Sequence, residues 1–116
     1  MTITSAMAAL TSLITGQLAE VDATVTSDPR QIAGILAAGQ PAVLVTPPTL
    51  AWPDTSWDIW VIAPTDDQPA ALAAIDPILT ALADDPDTHP DRARPDTFTL
   101  GSGRPALPGY ILTITQ

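Results

Sequence analysis

Apolar side chains recur along this chain in two rhythms, one every third or fourth residue and one every second, and the alternation between them predicts its elements. Met7, Leu10, Ile14 and Leu18 stand at i, i+3, i+7 and i+11, the spacing of one helical face, with Thr4 or Ser5 placed to cap the helix start. Val21, Ala23 and Val25 then alternate with Asp22, Thr24 and Thr26, the pattern of a half-solvated strand. Ser27-Asp28-Pro29 offers a cap and a first-turn proline, and Ile32, Ile35 and Leu36 follow as a short helix ending near Gly39. Ala42 to Thr46 is a continuous apolar strand that Pro47-Pro48 stops, because proline has no N–H to give to a ladder.

The strongest strand signal is the run Trp57 to Ala63, WDIWVIA. Trp57, Ile59 and Val61 alternate with Asp58, Trp60 and Ile62, so both faces are largely apolar and the strand belongs in the middle of a sheet with cover on each side. Residues 47–56, between the two strands, carry Leu50 and Trp52 among three prolines. That segment is too long for a tight turn and reads as an extended arm, its two legs antiparallel. Asp66-Asp67 then caps a second long helix with the stripe Leu72, Ile75, Leu79 and Leu82; Pro77 inside it removes one hydrogen bond and predicts a kink or a split.

Asp84 to Asp96, DDPDTHPDRARPD, has no apolar anchor and reads as an exposed loop. Thr97 to Leu100 and Tyr110 to Thr115 are the last strands, joined through Gly101-Ser102-Gly103-Arg104 and a proline-containing turn, with Tyr110, Leu112 and Ile114 on one face. The expected fold class is α+β: a mostly antiparallel sheet with two main helices packed on one face and a long hairpin arm. With no internal repeat and no break in composition, residues 1–116 form a single domain.

Composition narrows the function classes. Apolar residues make up 46% of the chain but are mostly small, so the three Trp side chains carry a large share of the buried area. Four Arg, no Lys and thirteen acidic residues give a net charge of −9, which opposes nucleic-acid binding by phosphate neutralisation and would repel a polyanion. The absence of cysteine excludes disulfides and thiolate metal sites. The first nineteen residues are uncharged but lack the basic n-region of a signal peptide, and the uncharged stretch 31–53 holds four prolines and two glycines, which rules out a membrane helix there.

Side chains that could do chemistry are few and scattered. His89, the only imidazole, lies between Thr88 and Pro90 in the acidic run, where no orienting partner is evident, and reads as a solvated loop residue. Asp84, Asp85, Asp87 and Asp91 could gather a hard cation, but the glycine and closing glutamate of an EF-hand are missing and a solvated charge run explains them. Gly101-Ser102-Gly103 looks like part of a phosphate loop, yet a strand rather than a helix follows, so a turn accounts for both glycines. No catalytic, cofactor-binding or metal-binding residue is assigned, and no enzymatic activity is expected. Trp57 and Trp60 fit a core, whereas Trp52 either tucks over its own sheet or docks on a partner.

The order of elements and the proline-bounded hairpin from Val43 to Ile62 resemble the tail terminators of long-tailed phages, minor tail proteins that close the tail tube. The resemblance covers nearly the whole chain: an N-terminal helix, a strand from about Val21, the long hairpin, a helix from about Pro69 to Ala83 and a C-terminal strand pair. It implies a homohexameric ring at the tail–neck junction of the virion, assembled in the host cytoplasm, with the tail tube protein and neck proteins as partners and no membrane or cofactor. The hairpin tip, with Pro48, Leu50, Trp52 and Pro53, is then the interface, and six copies of −9 give a lumen through which DNA passes without binding. Pro77 and the short 29–38 helix suit a neck or head-completion protein equally. An acidic binding or inhibitory module is a third reading, although such mimics spread carboxylates over one face and here they cluster in turns and one loop.

Overall fold

The computed structural model describes residues 2–101 and 103–116. Helix α1 spans Ile3–Gln17, and its cap is Thr2, whose hydroxyl accepts from the Ser5 amide at 3.0 Å. The helix therefore starts two or three residues earlier than expected, and Thr4 and Ser5 lie inside its first turn. Strand β1 is only Thr24–Thr26, because its parallel partner β2, Ala42–Val45, is itself short. Val21 and Ala23 precede the strand and still pack against the main core. A 3-10 turn at Pro29–Gln31, capped by Asp28, leads into α2, Ile32–Ala37.

Strand β3 (Thr49–Ala51) and strand β4 (Asp54–Ile62) follow, then α3 (Gln68–Ala83), β5 (Arg92–Phe98) and β6 (Leu107–Thr115). The sheet runs β1-β2-β4-β6-β5, with β3 also paired to β4, and every pairing except β1 with β2 is antiparallel. The WDIWVIA strand is thus the middle of the sheet. Helix α3 continues through Pro77 without a break, and its cap is Asp67, whose carboxylate accepts from the Ala70 amide. Its buried face is Ala71, Ile75, Ile78 and Leu82, whereas Leu72, placed in the stripe by spacing, is 48% exposed. The sheet takes the small Ala71 in its place.

Residues 92–96, expected in a loop, form most of β5. Nothing in their own pattern favours a strand; β6 imposes it, with Arg92 opposite Thr113 and Phe98 opposite Leu107. Charge and Pro95 on this outermost strand discourage pairing with further chains. The turn before β6 bends at Gly103, whose φ of 80° is costly for any residue with a side chain.

The two faces of the sheet bury different cores. Val43, Val45, Trp57, Ile59, Val61, Leu112 and Ile114 meet α1 and α3, so the two main helices share one face. Leu44, Ile62, Phe98, Leu107 and Ile111 meet only the short α2 on the other. Each fully buried large side chain of these clusters contributes roughly 1.5–3 kcal/mol by leaving water. Trp57 is 1% exposed, and its indole N–H donates to Gln116 Oε1 at 3.0 Å, so the largest core residue keeps its polar atom satisfied.

Candidate functional site

The arm between β2 and β4 is a ladder rather than an extended segment. Val45 pairs with Ile59 and Thr49 with Ser56, so residues 46–48 lie opposite only Trp57 and Asp58. One extra residue on the first leg is a β-bulge, and it sits at Thr46-Pro47-Pro48, where two prolines cannot donate to the partner strand. Beyond it, Thr49–Ala51 pairs with Asp54–Ser56, and Trp52-Pro53 closes the hairpin as a two-residue turn with a cis peptide bond before Pro53.

A single inserted residue reverses the facing of everything after it. Val43 and Val45 point to the α1/α3 face, and without the bulge Leu50 would point away from it. With the bulge, Leu50 sits opposite Thr55, which shares the face of Trp57. Pro48, Leu50 and Trp52 accordingly line one shallow groove of about 310 Å³ with Thr2, Ile3 and Ala6 at the start of α1. Trp52 is 84% exposed, so it does not tuck over its own sheet. Ile3 at 49% and Leu50 at 38% extend the apolar patch, which holds three of the four large exposed apolar side chains among the described residues.

A second apolar surface, not evident in the sequence, lies on the opposite face. Because α2 has only six residues, it covers part of that face and leaves a groove of about 500 Å³. The floor is a cross-strand row, Leu44 beside Trp60 beside Ile111 beside Arg94. Trp60, expected in the core, is half-buried and packs on Phe98 with ring centroids 5.1 Å apart. Sequence spacing gave no sign of this groove because its residues come from four strands and α2.

Several of the residues weighed for chemistry hold the end of α3. Pro86 has no N–H for the Leu82 carbonyl, and the Asp87 amide donates to Asp85 Oδ1 instead of to Ala83. Thr88, fully buried, donates its hydroxyl to Leu82 O at 2.8 Å, and His89 Nδ1 donates to Ala83 O at 2.8 Å. The 84–91 segment is therefore anchored by side chains that cap α3, and His89 is a cap rather than a free loop residue. Asp85 also accepts from Gln17, and Asp91 from Thr115. Among the described residues no group of three or more His, Asp or Glu side chains is placed to hold a metal ion. The Asp28 carboxyl lies below its usual range because Arg30 donates to it from both side chain and backbone, which tightens the turn into α2.

No helix among the described residues is long and apolar enough to cross a membrane. No known protein family, curated protein or solved structure matches the chain.

Proposed function

We propose that the chain is a structural subunit of a phage tail, a terminator-like protein that forms a homohexameric ring on the end of the tail tube and joins it to the neck. The observation that carries this reading is the hairpin tip, where Trp52 stands 84% exposed beside Leu50 and Ile3. An aromatic held clear of its own core by a turn and a bulge serves a partner better than it serves the fold. Two further features support the reading. The net charge of −9 suits a wall past which DNA must slide, and His89 and Asp85 are engaged at the end of α3.

In this reading the protein has no catalytic step. Pro48, Leu50, Trp52 and Pro53 form a contact surface, placed by the bulge on the side of α1. Negative-stain electron microscopy and native mass spectrometry of the purified protein test it, with addition of tail tubes to look for capped ends. A six-membered ring that caps tubes is the expected result. A monomer that leaves tube ends bare overturns it, and binding to a portal or head connector instead of tubes moves the protein to the neck.

A further inference from the structure

We propose that Gln116 is the positioning residue of the hairpin arm: it fastens the root of the arm to the sheet and so fixes where Trp52 is presented. Its bearing on assembly rests on the reading above of the tip as a contact surface. Three ties meet at this one residue. The Gln116 amide donates to Thr55 O at 2.8 Å, the Thr55 amide donates to Gln116 O at 3.0 Å, and Gln116 Oε1 accepts from the Trp57 indole at 3.0 Å. Strand β6 ends at Thr115, opposite Ser56, so Gln116 carries the ladder one residue farther out along the arm.

Among the described residues no other hydrogen bond reaches residues 49–55 from outside the hairpin. On the first leg Pro47 and Pro48 donate no ladder bond, because neither has an N–H. Packing does not hold the tip either: Trp52 stands in solvent, and an open groove of about 310 Å³ runs between the tip and the start of α1. What remains is a two-stranded ribbon, Thr49–Ala51 on Asp54–Ser56, and a ribbon of two strands alone is marginal in water. A third strand beside its root keeps it in line with the sheet, and the outermost residue of that strand to pair there is Gln116. Main chain and side chain divide the work: the N–H and C=O hold Thr55, while the amide oxygen satisfies the buried Trp57.

Two substitutions separate fastening from core packing. Gln116→Pro removes the N–H that Thr55 O accepts together with the side-chain acceptor, whereas Gln116→Ala removes the side-chain acceptor alone; chain length and charge are the same in both. Backbone order parameters at residues 49–52 and 54 are measured by NMR relaxation on protein diluted below the concentration at which it assembles. The unmodified protein and Gln116→Ala should keep the tip near the roughly 0.85 of rigid backbone, and Gln116→Pro should lower it toward about 0.6 while β2 and the Trp57 core stay unchanged. A tip already mobile in the unmodified protein, or one as ordered in Gln116→Pro as in Gln116→Ala, overturns the role of Gln116. At a temperature where all three proteins are folded, native mass spectrometry should show ring assembly about tenfold weaker for Gln116→Pro than for Gln116→Ala, the loss expected when a contact segment must be ordered on binding. A mobile tip with undiminished assembly removes Gln116 from assembly and the tip from the ring contact. An unmodified protein that never assembles overturns the ring reading, and the order parameters then decide on the fastening by themselves.

Discussion

Two single atoms' worth of space decide how β5 and β6 meet. A Cβ added at Gly109 would lie 2.3 Å from the Val61 carbonyl oxygen and 2.5 Å from Phe98 Cε2, so this strand position takes glycine because an aromatic ring and a neighbouring backbone already fill the site. Gly109→Ala should therefore lower stability by about 1–3 kcal/mol in denaturant unfolding, with loss of the Phe98–Trp60 packing visible in the near-ultraviolet circular dichroism. Thr88, after α3, matters by its hydroxyl instead. Thr88→Val keeps the shape but leaves the Leu82 carbonyl unpaired in a buried place, a loss of about 1–3 kcal/mol in the same measurement. Sequence reading found Trp57 and Trp52 by their neighbours but not Thr88, because a buried hydroxyl has no periodic signature. His89 was equally opaque: its role follows from the Asp87 amide turning to Asp85, which leaves the Ala83 carbonyl without a backbone donor.

Elements whose own apolar rhythm is strong were legible from the chain: α1, the short α2, β2 and β4 lie where spacing puts them. Elements whose conformation a neighbour dictates were not. The strand β5 reads RARPD at its start and is extended only because β6 holds it, and the register inside α3 shifted because a small Ala71 fits the sheet more closely than Leu72. Pro77 gives the element-scale prediction. It is exposed on an unbroken helix, so its ring contributes little packing while its missing N–H costs a hydrogen bond. Pro77→Ala should raise stability by about 1–3 kcal/mol, seen as a higher unfolding midpoint with an unchanged denaturant slope.

At the scale of the whole molecule, thirteen acids face four arginines, and only two ion pairs occur among the described residues, both on exposed side chains and both within one turn or strand. Such pairs are worth little, so uncompensated repulsion is the main electrostatic term. Raising sodium chloride from low to moderate concentration should raise the thermal midpoint of the monomer; a midpoint that falls would mean the pairs outweigh the repulsion. The candidate surface was half legible at this scale, since the exposed tip is one stretch of sequence while the groove exists only once four strands are side by side.

The bulge at Thr46-Pro47-Pro48 also sets a rule of parity for the gene. Loss of one codon there would bring Val45 and Thr49 into a single register and turn Leu50 away from α1, leaving the core strands untouched. Loss of one more residue would turn it back. A one-codon deletion should accordingly abolish nuclear Overhauser contacts between the tip and the start of α1 while the Trp57 core signals persist, so that a change of length rather than of residue type switches the side on which the molecule presents its apolar tip.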